Sequence, residues 1–577
     1  MKVEAIETIQ NTLTTNTQQL NHPPPSPLPE MAILKQFGSP SLQKTSDLSA
    51  NSIESSPRMD GVLPTTGVKV CLVVHDEKVL VLRRNDGVVK GSKPLFVIPT
   101  LHILSVSLRL AEKAPETIRL SYLSPAPAYT LLHLVLHPSP SLTSSLSVPE
   151  FVSLLNKSAY PTSTPTPTAR RRILLLVNPV GGRGKARKMT EGTVLPALKA
   201  AGCHVETTYT TRNGHAKDVA TELDPERYDV IGCVSGDGGI HEVLAGFAGR
   251  SDAKRCFRIP VVPVPAGSGN SLSLSIHGKI DGFSPHIATL NLIKGKQMVM
   301  DLCSLSQGDK PRIISFLSTA LGLMADLDLG TENLRWMGDT RFVYGFLRAT
   351  LSPPSWPGTI SLLPASPAYA DKQAHARDLR DRLEMSPEQV EADKERDVAN
   401  LDEEDKDEDG PLPAVKFKGP EEDWITIGQG TGGVGKDGIM YAYAGLQSVA
   451  SRDLMQWPFI NQGQGLIDLV IQESASRAVM IKSVAGAEDG NQVWQPSQHY
   501  LKARALHVDP YGASNRLPKD PLPSQYISID GESLNPADGP FTIECHQGLG
   551  RTLALRGRWE GAEDFWKKGC LDQSLKK

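Results

Sequence analysis

YDVIGCVSGDGGIHEVLAGFAG, residues 228–249, reads as a strand, a glycine-rich turn and a helix in immediate succession. The apolar run before the turn suits a strand buried on both faces, and the stretch after it carries helical spacing. The same rhythm continues on either side. Upstream lie RRILLLVNP (171–179) as a strand, KARKMTEGTVLPALKAAG (185–202) as a helical stretch interrupted by Pro196, CHVETTYTT (203–211) as a strand and HAKDVATEL (215–223) as a helix. Downstream, IPVVPVPAG (259–267) is a strand running into a loop. This alternation predicts a doubly wound, largely parallel α/β sheet over 171–297.

Beyond about residue 298 the alternation stops. VMDLCSL, RIISFLSTALGLMADLDL, WITIGQ, GIMYAYA, LIDLVIQES, KARALHVD, YISIDGE and FTIECH all read as strands, so 298–560 is expected to be a mainly β domain. Within it, seven of the ten residues 401–410 are acidic, and 365–420 is expected to be a solvated insertion. Upstream of the α/β domain, PTSTPTPTAR (161–170) is a linker. Period-two runs over 66–145, then a helix over 147–160, predict a β-rich module for 66–160, with a pleckstrin-homology-like fold as one option. Residues 1–65, containing HPPPSPLPE (22–30), are expected to be a disordered tail, and 561–577 a second tail.

The 577 residues allow about three to four domains. Sixty-one basic against 64 acidic residues give a net charge of −3, which disfavours a protein that coats nucleic acid. The seven cysteines include no C-x-x-C pair, against both a disulfide framework and a structural zinc site. MKVEAIETIQNTLTT has no apolar signal core, no stretch reaches the ~18 apolar residues of a membrane span, and lipidation motifs are absent. The expectation is a cytoplasmic protein that meets membranes peripherally, with its oligomeric state open.

Three glycine-rich loops follow strands of the α/β domain, where ligands of such sheets bind. In NPVGGRGKAR (178–187), glycines let the backbone approach an anion. The loop is not a Walker A motif, because Pro179 stands where that motif needs glycine. SGDGGIHEV (235–243) sets Asp237 between two glycines, as a proton acceptor for a substrate hydroxyl, a metal partner, or merely a helix cap. PAGSGNS (265–271) offers amides and Ser268 to a phosphate or polar head group. There is no G-x-S-x-G elbow and no H-E-x-x-H, so hydrolase and metalloprotease chemistry lack support.

In that order and spacing, the three loops resemble lipid kinases of the diacylglycerol-kinase-like superfamily. ALGLMADLDLGTENLRWMGDTRF (320–342) and SIDGES (528–533) narrow the resemblance to the sphingosine, or long-chain-base, kinases. The likeness covers roughly 171–560 without the insertion. It implies a mainly-β lipid-binding domain behind an α/β nucleotide-binding domain, and ATP-dependent phosphorylation of the primary hydroxyl of sphingoid bases with Mg²⁺ on the phosphates.

The resemblance also assigns residues. Asp237 matches the general base, and Ser235, Gly236 and Gly238 match positions lining the substrate region. Asn178, Pro179, Val180, Gly181 and Gly182 match the first nucleotide loop, with Val180 replacing a basic residue of some relatives. Thr210, Thr211, Arg212, Asn213 and Gly214 match a second nucleotide turn, and Gly267 and Ser268 the third loop. Glu332, Arg335 and Arg341 match nucleotide contacts, as do Asp530, Gly531 and Glu532 in the late motif. Asp328 matches the carboxylate that pairs with the sphingoid ammonium. Such a partner would distinguish long-chain bases from uncharged ceramide and diacylglycerol. Asp326 is a rival, since residues two apart on a strand share a face. Metal ligands are not identified. The alternatives are a ceramide or diacylglycerol kinase, or a catalytically silent lipid-binding protein.

Overall fold

The computed structural model describes residues 56–84, 94–111, 114–124, 130–139, 146–161, 170–330, 345, 355–386, 389, 409–428, 430–436, 438–512 and 526–565. The chain divides into two compact units, Met1–Ala159 and Tyr160–Lys577.

The first unit holds one seven-stranded antiparallel sheet. In spatial order its strands are Phe96–Pro99, Lys78–Arg83, Lys69–His75, Arg58–Val62, Thr130–Pro138, Ala114–Ser124 and Ile103–Ala111. The two edge strands are joined by only the short turn Thr100–His102, so the sheet must curl back on itself. Alternate residues Cys71, Val73, Leu80 and Leu82 fill part of its core. The helix Val148–Ala159 buries Val148, Phe151, Leu155 and Ala159, spaced three and four apart. Its start is a capping box, with the Ser147 amide donating to Glu150 at 2.9 Å and the Glu150 amide to Ser147 Oγ at 3.4 Å. The Arg58–Val62 strand lies inside the stretch expected to be a tail, pairing with Lys69–His75 along its whole length. Proline and serine in SPRMD obscured it, but its Met59 and Asp60 are buried.

The second unit begins with a four-stranded parallel sheet, in the order Val261–Pro265, Val230–Ser235, Arg172–Val177, His204–Tyr209. From the first strand the chain moves outward to one side, then returns and builds the other side. The topological switch therefore falls between the ends of Arg172–Val177 and Val230–Ser235, where the first two glycine loops emerge. The stretch expected as one interrupted helix is three pieces, Ala186–Met189, a π turn Thr190–Val194, and Leu195–Ala201. The wide turn accommodates Pro196, which cannot donate a helical hydrogen bond and sits in the first turn of the last piece. Gly202 closes it at φ 77°.

The β domain is an 11-stranded sheet. Its longest pair, Lys296–Ser306 and Phe541–Ala554, runs antiparallel along most of its length. One face packs Ile360, Ile439, Leu469, Leu501 and Ile543 among others. The other is covered by the helices Leu323–Gly330, Lys372–Leu383 and Arg477–Gly486.

Three expectations change here. The RIISFLSTALGLMADLDL stretch is strand only at Ile313–Ser315 and Ser318–Gly322, then turns helical at Leu323. Asp326 and Asp328 therefore stand about 200° apart around a helix and not on one strand face. The insertion is also shorter than 365–420. Helix Lys372–Leu383 buries Ala376 and Leu379 in the β domain, and Leu412 belongs to the α/β core. The acidic run 401–408 lies outside the described residues, and so do the tails 1–55 and 566–577. Residues 561–565, expected in the tail, belong to the helix Glu560–Phe565, with the Gly561 backbone packed on Ser275. Among the described residues no helix is long and apolar enough to cross a membrane.

Candidate active site

Asp237 is the first residue of helix Asp237–Ala248, directly after the buried strand Val230–Ser235. It does not cap its own helix. Its carboxylate accepts from the Ser271 amide at 2.8 Å and the Leu272 amide at 3.3 Å, the opening amides of a second helix, Ser271–Asp281. A helix N-terminus favours negative charge, so this is a cross-helix clamp on an anion. Burial still dominates, and pushes Asp237 from 3.8 up to about 6. The two amides oppose that rise and the nearby Asp530 adds to it.

The glycines of the loops allow backbones to meet. A Cβ on Gly267 would lie 2.3 Å from Gly236 Cα, and one on Gly236 would lie 2.8 Å from the Gly269 carbonyl oxygen. The Asp237 amide donates to that same Gly269 oxygen at 3.2 Å. Asn270 braces the third loop, accepting from the Gly267 amide at 3.2 Å and donating to the Gly267 carbonyl at 2.8 Å. The first loop joins through the Asn178 amide, which donates to the Val234 carbonyl at 3.0 Å. Asn178 Oδ1 accepts from the Val180 amide at 3.2 Å, and the Val180 side chain is 80% exposed. Pro179, Gly181 and Gly182 complete this turn, the last two opening the short helix Gly181–Gly184. Gly238 faces open space and Ser268 is exposed. Ser235 Oγ donates to the Gly236 carbonyl at 2.8 Å.

The Thr210–Gly214 turn is tied to the same helix by Glu242, which accepts from the Gly214 amide and the Ala216 amide, both at 3.0 Å. Within it, Thr210 donates its amide to Val177, Thr211 to His215 Nδ1, and Arg212 pairs with Asp218. Asn213 precedes Gly214, whose φ is 77°.

Asp530 and Gly531 form the two-residue turn between Ile527–Ile529 and Glu532–Leu534, with φ of 51° and 88°. Asp-Gly suits a tight hairpin that needs both residues left-handed. The Asp530 carboxylate is buried and occupied, accepting from Ser315 Oγ at 2.7 Å and from the amides of Phe316, Leu317 and Ser318 at 3.0, 3.1 and 2.9 Å. His241 Nδ1 is 3.0 Å from it. Burial lowers the His241 pKa, but the Asp530 bond and charge outweigh that and raise it overall. Asp530 thus ties the β domain to the Asp237 helix, and exposed Glu532 and Gly531 are what remain free to face a ligand.

Asp328 accepts a hydrogen bond from Ser528 Oγ, two residues before Asp530. Asp237, Asp328 and Asp530 all act on one phenol, Tyr443, whose pKa is pushed up by burial and by these three charges. Asp326 faces elsewhere. Its buried Oδ1 has no hydrogen-bond partner, and burial raises it from 3.8 to about 7. Glu332, Arg335 and Arg341 lie outside the described residues.

Sequence reasoning passed over His241, Glu242, Asn270, the Ser271 and Leu272 amides, Ser528 and Tyr443. His241 lies four residues after Asp237, one helical turn on, and that spacing was the available signal for it. Among the described residues no group of three His, Cys, Asp or Glu forms a metal cage.

Residues 172–305 match the diacylglycerol kinase catalytic domain. The chain is 30% identical over 385 residues to sphingoid long chain base kinase 4 of Schizosaccharomyces pombe, covering 67% of this chain and 75% of that protein. It is 29% identical over 430 residues to sphingoid long chain base kinase 5 of Saccharomyces cerevisiae, covering 67% of this chain and 60% of the relative. A diacylglycerol kinase structure from Bacillus anthracis aligns with a TM-score of 0.37 and 14% identity, over 67% of this chain and 97% of its own.

Proposed function

This chain belongs to the sphingoid long-chain-base kinases, and from that premise we propose how its residues divide the work. The protein is a lipid kinase that transfers phosphate from ATP to the primary hydroxyl of a sphingoid long-chain base.

The observation that carries the mechanism is Asp237, a buried carboxylate held by two helix amides at the switch point of a parallel sheet. With its pKa raised to about 6, it is largely ionised near neutrality yet basic enough to take a proton from a bound hydroxyl. Ser235, Gly236 and Gly238 shape the place where that hydroxyl would sit. The amides of Asn178 to Gly182, the Thr210–Gly214 turn, Gly267 and Ser268 would hold the nucleotide, with Gly531 and Glu532 reaching it from the β domain. Asp530 would serve this role through its backbone, since its carboxylate is already satisfied. Glu332, Arg335 and Arg341 would add charge to the nucleotide site. Mg²⁺ on the phosphates would neutralise the charge that develops during transfer.

Asp328 would pair with the C2 ammonium. Its shared influence with Asp237 on Tyr443, and the different helix face of Asp326, support it over its neighbour. The lipid tail would lie against the apolar helices of the β domain, which makes peripheral membrane contact and a cytoplasmic setting the natural reading. The curled seven-stranded sheet with its closing helix supports a pleckstrin-homology-like first unit.

The test is transfer of label from ATP in mixed micelles to sphingosine, dihydrosphingosine, ceramide and diacylglycerol. Label on the long-chain bases, lost with Asp237→Asn and sharply reduced with Asp328→Asn, is expected. Label chiefly on ceramide or diacylglycerol would overturn the ammonium reading.

A further inference from the structure

Tyr443 is a polar side chain at this site that no role above uses. It lies on the strand Ile439–Gly445, facing the same way as Tyr441 two residues earlier. Tyr441 is 4% exposed, whereas Tyr443 keeps part of its surface open. Its ring is fixed edge-on against Trp457 at 4.5 Å, and the Trp457 indole donates to the Tyr443 carbonyl at 3.0 Å. The hydroxyl is therefore held in place before any ligand arrives. Yet among the described residues its one hydrogen bond is a long one, accepted from Ser318 Oγ at 3.5 Å. The phenol proton is left to donate elsewhere. Burial and the surrounding carboxylates keep that proton on the oxygen at any working pH.

Strand register shows what lies beside it. Ala320 is paired with Tyr443 on one side and with Ser528 on the other. Directly opposed residues share a sheet face. So Ser528, Ala320 and Tyr443 form one row, and the Cα atoms of its two ends are about 10 Å apart, two strand spacings. Ser528 holds Asp328, and Ala320 is the residue between Ser528 and Tyr443 in the row. Among the charges acting on Tyr443, Asp328 is the strongest, ahead of Asp530 and Asp237. The row therefore brings Tyr443 to the neighbourhood of the carboxylate that would hold the ammonium.

A sphingoid base carries its reacting hydroxyl on C1, its ammonium on C2 and a secondary hydroxyl on C3. With Asp237 taking the first and Asp328 the second, the third falls on the far side of Asp328 from the catalytic carboxylate. We infer that Tyr443 donates a hydrogen bond to the C3 hydroxyl and is a specificity-determining residue for long-chain bases that carry it. This deepens the kinase reading and rests on the assignment of Asp328 to the ammonium.

The experiment uses the full chain, labelled ATP with Mg²⁺, and two substrates in mixed micelles. One is dihydrosphingosine and the other the same saturated amino alcohol without the C3 hydroxyl. Wild type is expected to favour dihydrosphingosine by about tenfold in kcat/KM, the effect of one well-made hydrogen bond. Tyr443→Phe is expected to cut that preference to about twofold or less, through loss on dihydrosphingosine. Equal kcat/KM on the two bases with wild type overturns the inference without any variant, so it stays testable even if Tyr443→Phe folds poorly. A preference retained in Tyr443→Phe, or both substrates lowered in equal proportion, overturns it too. Label on neither base would instead bring down the kinase reading beneath it.

Discussion

Replacing Asp237 by Asn should destroy transfer and, at neutral pH, stabilise the fold. Asp237 has its pKa raised from 3.8 to about 6, with burial the largest cause. A carboxylate so raised favours the native state only while protonated. Its contribution is fully present below pH 3.8 and is lost as pH rises through about 6. The difference of roughly two pKa units corresponds to about 3 kcal/mol of stability forgone at pH 7.5. Asparagine removes the charge and keeps one acceptor for the Ser271 amide at 2.8 Å. Its NH₂ group then opposes the Leu272 amide, now bound at 3.3 Å. Subtracting ~1–2 kcal/mol for that mismatch leaves a net gain of about 1–2 kcal/mol. Activity should fall by about 10²–10⁴, the usual contribution of a general base.

The assay is thermal unfolding of wild type and variant from pH 5 to 8, alongside label transfer. The variant should melt higher at pH 7.5, by a few degrees, and the gap should narrow toward pH 5. In wild type, kcat/KM should rise through about pH 6 as Asp237 ionises. A variant that melts lower than wild type at pH 7.5, with a gap indifferent to pH, would refute the idea of a buried charge held at a cost. Retained turnover would refute its role as base.

Three other perturbations follow from the same geometry. Asp328→Asn should reduce kcat/KM on long-chain bases by roughly 10²-fold, the effect of losing a charged hydrogen bond, while Asp326→Asn should change it by less than about threefold. Parallel kinetics on the two variants would expose a reversed assignment. Gly267→Ala puts a methyl 2.3 Å from Gly236 Cα, so the two loops must separate. Activity should drop by at least about tenfold with little change in melting, and a fully active variant would mean the loop contact is unimportant. Lys502→Ala strips the buried partner from Asp468, whose two oxygens both lie 2.8 Å from the ammonium, and leaves Tyr500 bonded to an uncompensated charge. Denaturant unfolding should register a loss of about 3–5 kcal/mol, and a loss below ~1 kcal/mol would contradict the pairing.

Much of the site was legible because glycine loops and apolar runs are local signals. The run RILLLV is a buried strand, and SGDGG after such a strand marks a candidate ligand loop. The ADLD segment was misread because its apolar and polar residues alternate with the period of a strand. Packing resolved the ambiguity. Leu323, Met324 and Leu327 all pack in the apolar cluster with Tyr441 and Trp457, and neighbours 323 and 324 could not share one face of a strand. The packing of helix Lys372–Leu383, not its helicity, was hidden by its charged composition, since Ala376 and Leu379 are buried.

By itself, the sequence determined the parallel sheet, the order of its loops and the family, because each rests on neighbours in the chain. Only the tertiary structure decided what surrounds Asp237. Its amide clamp comes from residues 34 and 35 positions away, and His241 meets Asp530 across 289. Strand register alone sets Ser528, Ala320 and Tyr443 in one row. Burial then raises the pKa of an ordinary carboxylate, since the cost of removing a charge from water depends on everything that encloses it.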